Sequence, residues 1–400
     1  MKQGTTLQNM IWALKGQDEI AADYTLGAPR LSYEMGDALP PAQTKSEALN
    51  ELLSRVATDF DGNPQITDDF NSPEAAPREP LLVLDGERVL RPNRVFHQQM
   101  ATQLRIPYDY YKRQFHTHPE DLCRDVTSWL GDTHVVKNVQ QPVHGDRTVR
   151  SMGNTARAFL SNRYRRLDNY PLLLSVLGRL GDMGVDQGNI LSCNVTDKKL
   201  YLKIVTPRLE GEVEKGDIAQ AGLEVTNSEV GQGSLAVQPL IYRLVCKNGA
   251  IMPDTGIRKT HIGGSQAGDE KNGWEIYSDD TMKKADDAFF AQVGDVVEHT
   301  LSEEVFNLEL DKIRTANSDE IQVEVPKAIE HLSTTYRFSE QEEDQILNNF
   351  INGENRTRWG MANAVTLTSQ SDDVSYERAS ELERIGGDII ENILNWTEGN

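Results

Sequence analysis

Apolar residues recur at two different periods along this chain, and the change of period predicts where strands give way to helices. The segment LLVLDGERVL, from Leu81, alternates around an Asp-Gly pair and predicts two short strands. TVRSMGNTARAFLSN, from Thr148, predicts a second pair around a Gly-Asn turn. A third hairpin turns at Thr196–Lys199, and a further strand after the glycine-rich VGQGS ends at the Asn-Gly pair that begins at Asn248.

Helical spacing dominates elsewhere. FHQQMATQLRIPYDYYKRQFHTHPEDLCRDVTSWLG predicts three helices, with Pro107 opening the second and Gly131 closing the third. NYPLLLSVLGRLGDMG predicts a long helix with Asn169 as its N-cap, and four acidic segments after Met282 carry the same spacing. We therefore predict an α+β fold, with a mixed or antiparallel sheet and a helical C-terminal region.

Composition along the chain predicts three parts. Residues 1–80 contain Pro- and Asp-rich stretches and are interpreted as an N-terminal arm with an acidic linker. Residues 81–265 carry the strand patterns and form the predicted α+β core domain. Residues 266–400 form the predicted acidic helical region.

The chain is strongly acidic. Its 400 residues include 41 Lys and Arg against 62 Asp and Glu, a net charge of −21, which argues against non-specific adhesion to duplex DNA or to anionic membranes. No apolar block suits a secretory signal or a membrane span, so we expect the cytoplasm of a host cell. Cys123, Cys193 and Cys246 fit neither a disulfide framework nor a zinc motif, and we expect reduced thiols.

One short segment departs from this acidity. Residues 146–166 contain six arginines and a single acidic residue, the arginines being Arg147, Arg150, Arg157, Arg163, Arg165 and Arg166. Arginine suits phosphate because its planar fork donates paired hydrogen bonds and keeps its charge. The segment therefore predicts a local site for a negatively charged ligand.

Other residues extend the predicted stripe. Tyr164 would stack on a base or fill core, and the following strands add Lys198, Lys199, Lys203, Arg258 and Lys259. Backbone contacts by Arg and Lys, with aromatic stacking, are what sequence-independent binding of single-stranded nucleic acid requires. The alternative is a set of ion pairs with the many acidic residues of the chain, and the residues alone leave both open.

FHQQMATQLRIPYDYYKRQ also has the rhythm of a helix-turn-helix with its turn near Pro107. As a DNA reader it needs an exposed, basic second helix. The spacing of Tyr108, Tyr111 and Phe115 favours the simpler interpretation, that the second helix packs against a sheet.

Catalytic motifs are missing from the sequence. No phosphate loop, nucleophile elbow or metalloprotease motif occurs, so we expect no enzyme and no cofactor. Two groups of residues suggest metal chemistry. The first is His116, His118, Glu120 and Asp121, which is explained more simply as the solvated end of a helix and its loop. The second is Asp279, Asp280, Asp286 and Asp287, which is explained more simply by helix capping and solvation.

Four segments carry a family resemblance, in the order FHQQMATQLRIPYDYYKRQ, ARAFLSNRYRRLDN, YRLVCKNGA and RTRWGMANAVTLTSQ. They resemble a phage- and plasmid-borne family of unknown function that includes prophage proteins of the YfjQ/YafZ type. The similarity spans about Leu81 to the C-terminus, and it implies no particular activity.

A more remote resemblance concerns the order of elements. A hairpin, a helix and a second hairpin after an arginine-rich strand are similar to the β-β-β-α core of single-strand annealing proteins, the superfamily of phage Sak- and Redβ-type recombinases. That resemblance implies rings or filaments with single-stranded DNA in an outer basic groove, without nucleotide or metal. By position, the groove would include Arg157, Arg163, Arg165, Arg166 and the Lys198–Lys199 hairpin.

The leading hypothesis is thus a phage or mobile-element protein of DNA recombination that binds and anneals single-stranded DNA as a homo-oligomer. The rival hypothesis is an acidic interaction protein that engages a host protein or mimics DNA. A metal-dependent nuclease is a third, weaker hypothesis.

Overall fold

The computed structural model describes residues 2, 4–37, 39, 78–131, 146–162, 164, 166–253, 257–259 and 279–391, with backbone alone at 257–259 and 279–283. Within these residues the helices are α1 (Leu7–Ile20), α2 (Arg94–Gln103), α3 (Tyr108–Thr117), α4 (Pro119–Gly131), α5 (Asn169–Asp182), α6 (Asp279–Thr300), α7 (Glu303–Ser318), α8 (Val325–Tyr336), α9 (Glu340–Gly353), α10 (Arg358–Thr368) and α11 (Tyr376–Ile390). The strands are β1 (Ala21–Gly27), β2 (Leu31–Asp37), β3 (Arg78–Leu84), β4 (Arg88–Pro92), β5 (Asp146–Met152), β6 (Thr155–Ser161), β7 (Ile190–Val195), β8 (Leu200–Glu214), β9 (Asp217–Asn227), β10 (Leu235–Arg243), β11 (Asn248–Ile251) and β12 (Ile257–Lys259).

The first sheet is mixed and strongly curled. Its strand order is β1-β5-β6-β4-β3-β2, with β4 and β6 parallel. Only residues 28–30 connect the two edge strands β1 and β2, a link that spans at most about 14 Å. Six flat strands would hold these edges roughly 24 Å apart. The sheet therefore curls until its edges approach each other, around a core that includes Leu82, Phe96 and Phe159.

The predicted turns of this sheet are confirmed. Asp85 and Gly86, with φ of 55° and 72°, connect β3 to β4, and Gly153, with φ of 58°, connects β5 to β6. Positive φ at both central residues of the first turn, and at the first central residue of the second, gives the backbone twist of tight hairpins.

The second sheet is antiparallel, in the order β11-β10-β9-β8-β7, with β12 also pairing with β10. Leu200, Leu202 and Ile204 of β8 share one face, as predicted, and pack in a cluster with apolar residues of α1, α5 and α6. The next residues along β8 point to the opposite face, where Tyr201 contacts the ring of Tyr376 in α11. Helices thus cover both faces of the sheet.

The α+β class and the helical C-terminal region are confirmed. Three details differ from the sequence-based expectation. The N-cap of α5 is Asp168 rather than Asn169, β9 and α10 were not predicted, and the chain turns back between β10 and β11 before Asn248, at Lys247 with φ of 52°. The part of the predicted N-terminal arm that is described contributes α1, β1 and β2, and the domain boundaries at 80 and 265 stay predictions.

A layer of buried charge lies between the second sheet and α11. Lys203 and Glu224 are directly opposite each other on β8 and β9, with Nζ 3.7 Å from Oε1. The Lys203 ammonium also donates to the Glu383 carboxylate. Ser380 Oγ and Arg384 Nη2 donate to the two oxygens of Glu224 at 2.5 and 2.6 Å. Two cations and two carboxylates therefore balance inside the fold.

Helix geometry explains how α11 supplies its share of this layer. Tyr376, Ser380, Glu383 and Arg384 are spaced i, i+4, i+7 and i+8, which is one face of a helix. Burial alone lowers the pKa of Lys203, but the charges of Glu383, Tyr376 and Glu224 outweigh burial and raise it. Lys203 is therefore a fixed interior cation, and its predicted place on an exposed nucleic-acid stripe needs correction.

Replacing Lys203 with methionine tests this arrangement. Lys203→Met keeps the volume but leaves the buried Glu383 carboxylate without its cation and removes one of the two cations beside Glu224. We therefore expect a loss of about 3–5 kcal/mol in the free energy of unfolding. Lys327→Met is the matched control, because Lys327 is 70% exposed and pairs with Glu324 one turn away. The control should change stability by less than about 0.5 kcal/mol. Equal urea midpoints for the two variants would contradict the buried layer.

His97 fixes α3 against the first sheet. Its Nδ1 is 3.0 Å from the Tyr111 hydroxyl, and its ring and that of Phe115 pack edge to face with 4.9 Å between their centroids. Burial, then the charges of His116 and Arg91, lower the pKa of His97 from 6.5 to about 3. The folded protein therefore holds this imidazole neutral.

Acid should destabilise the protein through His97. Below its ordinary pKa of 6.5 the imidazole takes up a proton when unfolded but not when folded, until about pH 3. The contribution of neutral His97 to the free energy of unfolding is then fully present above pH 6.5. Below that pH the free energy of unfolding falls by up to about 1.4 kcal/mol per pH unit. His97→Gln keeps an acceptor for Tyr111 without titrating. Urea unfolding between about pH 7 and pH 5 should show a shallower loss for this variant than for the wild type, and parallel losses would contradict the assignment.

Candidate nucleic-acid interface

Arg150 is the centre of the arginine segment. It is buried on β5, where Nε and Nη2 pair with Asp23 at 2.9 Å and Asp168 at 2.6 Å, and Nη1 donates to the Glu229 carbonyl at 3.0 Å. Burial alone lowers the pKa of Arg150, but the charges of Asp168, Asp23 and Glu229 raise it overall. A ligand at the surface does not reach this guanidinium.

Glu229 extends the same network to Arg157 and α5. Arg157 Nη1 lies 3.1 Å from one oxygen of Glu229, and the backbone N–H of Asn169 donates to the other oxygen at 2.7 Å. Both side chains of this ion pair are 11% exposed. Arg157 therefore holds a carboxylate of its own chain, which is the alternative that the sequence left open.

The described arginine network is electrically balanced. Three arginines, Arg150, Arg157 and Arg166, face three acidic residues, Asp23, Asp168 and Glu229. Asp23 precedes Arg150 by 127 positions, so no local spacing in the sequence indicates the pair. A local count of charge overstates the positive charge that this segment presents to a ligand.

Arg166 and Arg147 differ from the two buried arginines. Arg166 pairs with Asp23 at 3.0 Å but keeps 54% of its side chain exposed. Arg147 is half-buried, its Nε has no hydrogen-bond partner among the described residues, and burial lowers its pKa. Arg166 therefore keeps donors at the surface for a ligand, whereas the unpartnered Nε of Arg147 is buried. Arg163 and Arg165 lie outside the described residues.

Tyr164 anchors the end of the segment. Its hydroxyl donates to the Ser228 carbonyl at 2.7 Å, and its ring packs against a cluster that includes Leu160 and Val230. Burial raises the pKa of this hydroxyl. Of the two roles that the sequence allowed for Tyr164, packing in the core is the one that these contacts support.

Ser228 connects the arginine segment to the lysine hairpin. Its Oγ donates to the Lys198 carbonyl at 2.7 Å, while its own carbonyl accepts the Tyr164 hydroxyl. Lys198 is 36% exposed and pairs with Glu377 at 3.3 Å. Lys199 is half-buried, and burial lowers its pKa. The fold thus brings together two groups of predicted site residues that are far apart in sequence, and we call Arg166, Lys198 and Lys199 the basic rim.

The remaining predicted site residues lie on β12. Arg258 pairs with Ala236 and Lys259 with Leu235 of β10, and their side chains lie outside what the structure describes. Ala236 aligns across the sheet with Thr226 and then with Tyr201. The β12 backbone therefore lies at the same end of the second sheet as the lysine hairpin.

The other candidate chemistry is not assembled in the described structure. Within the described residues, no group of three or more His, Cys, Asp or Glu side chains is placed to hold a metal ion. His116 and His118 are exposed at the end of α3. The side chains of Asp279 and Asp280 lie outside the described part. None of the described helices is long and apolar enough to cross a membrane.

Comparisons with known proteins place the chain in a family without indicating an activity. No curated protein and no solved structure matches it. The model of one family, described as "Domain of unknown function (DUF932)", matches residues 159–377. The matched part includes the basic rim, Ser228 and Glu229, and begins just after Arg157. Since the match covers more than half of the chain, this protein belongs to the DUF932 family.

Proposed function

We propose that this protein binds and anneals single-stranded DNA for a phage or mobile element, as a homo-oligomer and without nucleotide or metal. The observation that carries the proposal is the meeting of the arginine segment and the lysine hairpin at Ser228. A continuous line of cations is what a phosphate backbone requires, whereas scattered cations do not follow it.

The proposal divides the basic residues into two roles. Arg166 and Lys198, exposed at the rim, contact phosphates, and Arg147 offers a further guanidinium at the start of β5. Arg150 and Arg157 instead hold the rim in place through Asp168 and Glu229. Rigid support lowers the conformational cost of ordering the rim when the strand binds.

Overall charge makes such binding strongly dependent on salt. The chain carries −21, so carboxylates surround any bound strand. Screening removes most of this repulsion beyond about 8 Å at physiological salt, while contacts at the rim act at short range. Annealing then needs no chemical step, because the protein holds the backbone, the bases stay presented, and their pairing drives the reaction.

Binding of a labelled oligothymidylate, measured by anisotropy over about 50–200 mM salt, tests the rim. We expect Arg166→Gln/Lys198→Gln to bind more weakly than the wild type, with a salt slope smaller by about 0.7 for each lost contact. Lys215→Gln/Lys327→Gln is the matched control, because it removes the same charge from exposed positions, one of them at the far end of β8. Identical curves for the two double variants would contradict the rim as the binding site.

Particle images of the purified protein, with and without an oligonucleotide, test the predicted assembly. Annealing between two coated strands requires many protein copies along each strand, so we expect rings or filaments in the presence of the oligonucleotide. Isolated monomers under both conditions would contradict the homo-oligomer.

The second proposal is an acidic interaction protein that binds a host factor or mimics DNA. Its support is the outer half of β8, where Glu210, Glu212 and Glu214 are exposed at alternate positions. Affinity for a basic protein together with indifference to oligonucleotides would favour this proposal over annealing.

A further inference from the structure

The α2–α3 pair has the short connection that joins the two helices of a helix-turn-helix. Four residues separate the two helices, and Arg105 among them has a φ of 58°, in the left-handed region. The Ile106 N–H donates to the Ala101 carbonyl at 2.9 Å, which closes the end of α2. Short turns that often place glycine at such a position connect the two helices of DNA-binding pairs. Here an arginine occupies the left-handed position.

Buried contacts fix the angle between the two helices. Tyr111 and Phe115 on one side of α3 pack against His97 of α2. The Tyr111 hydroxyl also lies 3.4 Å from the Tyr33 hydroxyl of β2. These contacts agree with the packing that the sequence favoured for α3. They occupy one side of the helix and leave the opposite side at the surface.

The outward side of α3 is aromatic and basic. Tyr110 is 45% exposed, and the Arg113 guanidinium lies over its ring at 5.6 Å. Arg105 is exposed and makes no ion pair within the described residues. Residues 94–118 contain four Arg or Lys and one acidic residue, so their charge is 4 − 1 = +3 in a chain of −21. On α3 and the turn before it, the exposed cations are Arg113 and Arg105 and the exposed acid is Asp109, so this surface carries a small excess of positive charge.

We infer that the α2–α3 pair binds duplex DNA, with α3 in the major groove. The ten residues of α3 give a helix about 15 Å long, and the major groove, about 12 Å wide, admits a helix of this kind. Arg113 lies in the middle of α3, where it can donate to the paired acceptors of a guanine. Arg105, in the turn before α3, faces the phosphate backbone beside the groove.

Duplex DNA fits this face better than a single strand does. A single strand is held by stacking on open aromatic rings, and the exposed ring of Tyr110 has the Arg113 guanidinium over one of its faces. A rigid helix that presents a guanidinium beside a second basic residue matches a groove of fixed width. The inference is independent of the single-strand proposal, because neither Arg166 nor Lys198 takes part in it.

The duplex site would nevertheless adjoin the basic rim. Gln99 of α2 donates through Nε2 to the Val230 carbonyl at 2.6 Å and accepts from the Phe159 N–H at 2.7 Å. Val95 of α2 packs in the same cluster as Tyr164. One side of α2 thus touches the residues that anchor the rim, and its C-terminal end carries α3.

Anisotropy of a labelled duplex of random sequence, over about 50–200 mM salt, tests the inference. The variant is Arg105→Asn/Arg113→Gln, because asparagine tolerates the left-handed backbone at position 105. We expect duplex affinity to fall by about tenfold or more and the salt slope to decrease by about 0.9 for each lost contact. Binding of oligothymidylate, the arm that tests the rim, should not change.

Arg124→Gln/Lys327→Gln is the matched control. It removes the same charge, and Arg124 lies on the neighbouring α4, 70% exposed and paired with Asp121 and Asp125. Equal loss of duplex affinity in both double variants, or no duplex binding by the wild type at the lowest salt, overturns the inference. Amide exchange of the wild-type protein supplies a test without substitution, since bound duplex should slow exchange in residues 104–117, and unchanged exchange there also overturns it.

Discussion

Burying a charge is costly unless an opposite charge is buried with it, and the structure depends on this constraint. Arg150 sits in the interior of the first sheet and is held by Asp23 and Asp168, from strand β1 and the cap of α5. The same guanidinium donates to the carbonyl of Glu229, which lies between β9 and β10 of the second sheet. One cation therefore fixes the relative positions of elements that no local sequence pattern connects. The Lys203 layer does the same between the second sheet and α11.

How much the sequence could predict depended on the range of the interaction. Hairpins and helices were predictable because their periods are local, as at Asp85-Gly86 and along α2 and α3. Strand β9 was missed because its run DIAQAGLEVTN mixes small and polar residues with apolar ones, and its burial comes from neighbours on both sides. The resemblance to an uncharacterised family is confirmed for residues 159–377, a stretch that includes β9 and α10, which periodicity did not predict. Its link to annealing proteins stays a prediction.

The candidate site shows the same limit. The clustering of arginines was visible in the sequence, but the identity of their partners was not, because Asp23 and Glu229 lie far from them along the chain. Burial also divides the arginines into two kinds. Arg157 is buried against Glu229 and stabilises the fold, whereas Arg166 remains largely at the surface. For α3, packing and exposure were alternatives in the sequence, whereas in the structure they occupy opposite sides of one helix.

The pairing of β1 and β2 with strands from later in the chain has a consequence for any shortened form of the protein. Strands β5 and β3 each have one neighbour supplied by residues 21–37. A fragment that begins at Leu81, where the family resemblance starts, would leave both of these strands with open backbone donors and acceptors. Open strands of this kind recruit other chains into mixed sheets. Aggregation of such a fragment would reflect its missing N-terminal strands rather than a property of the intact protein.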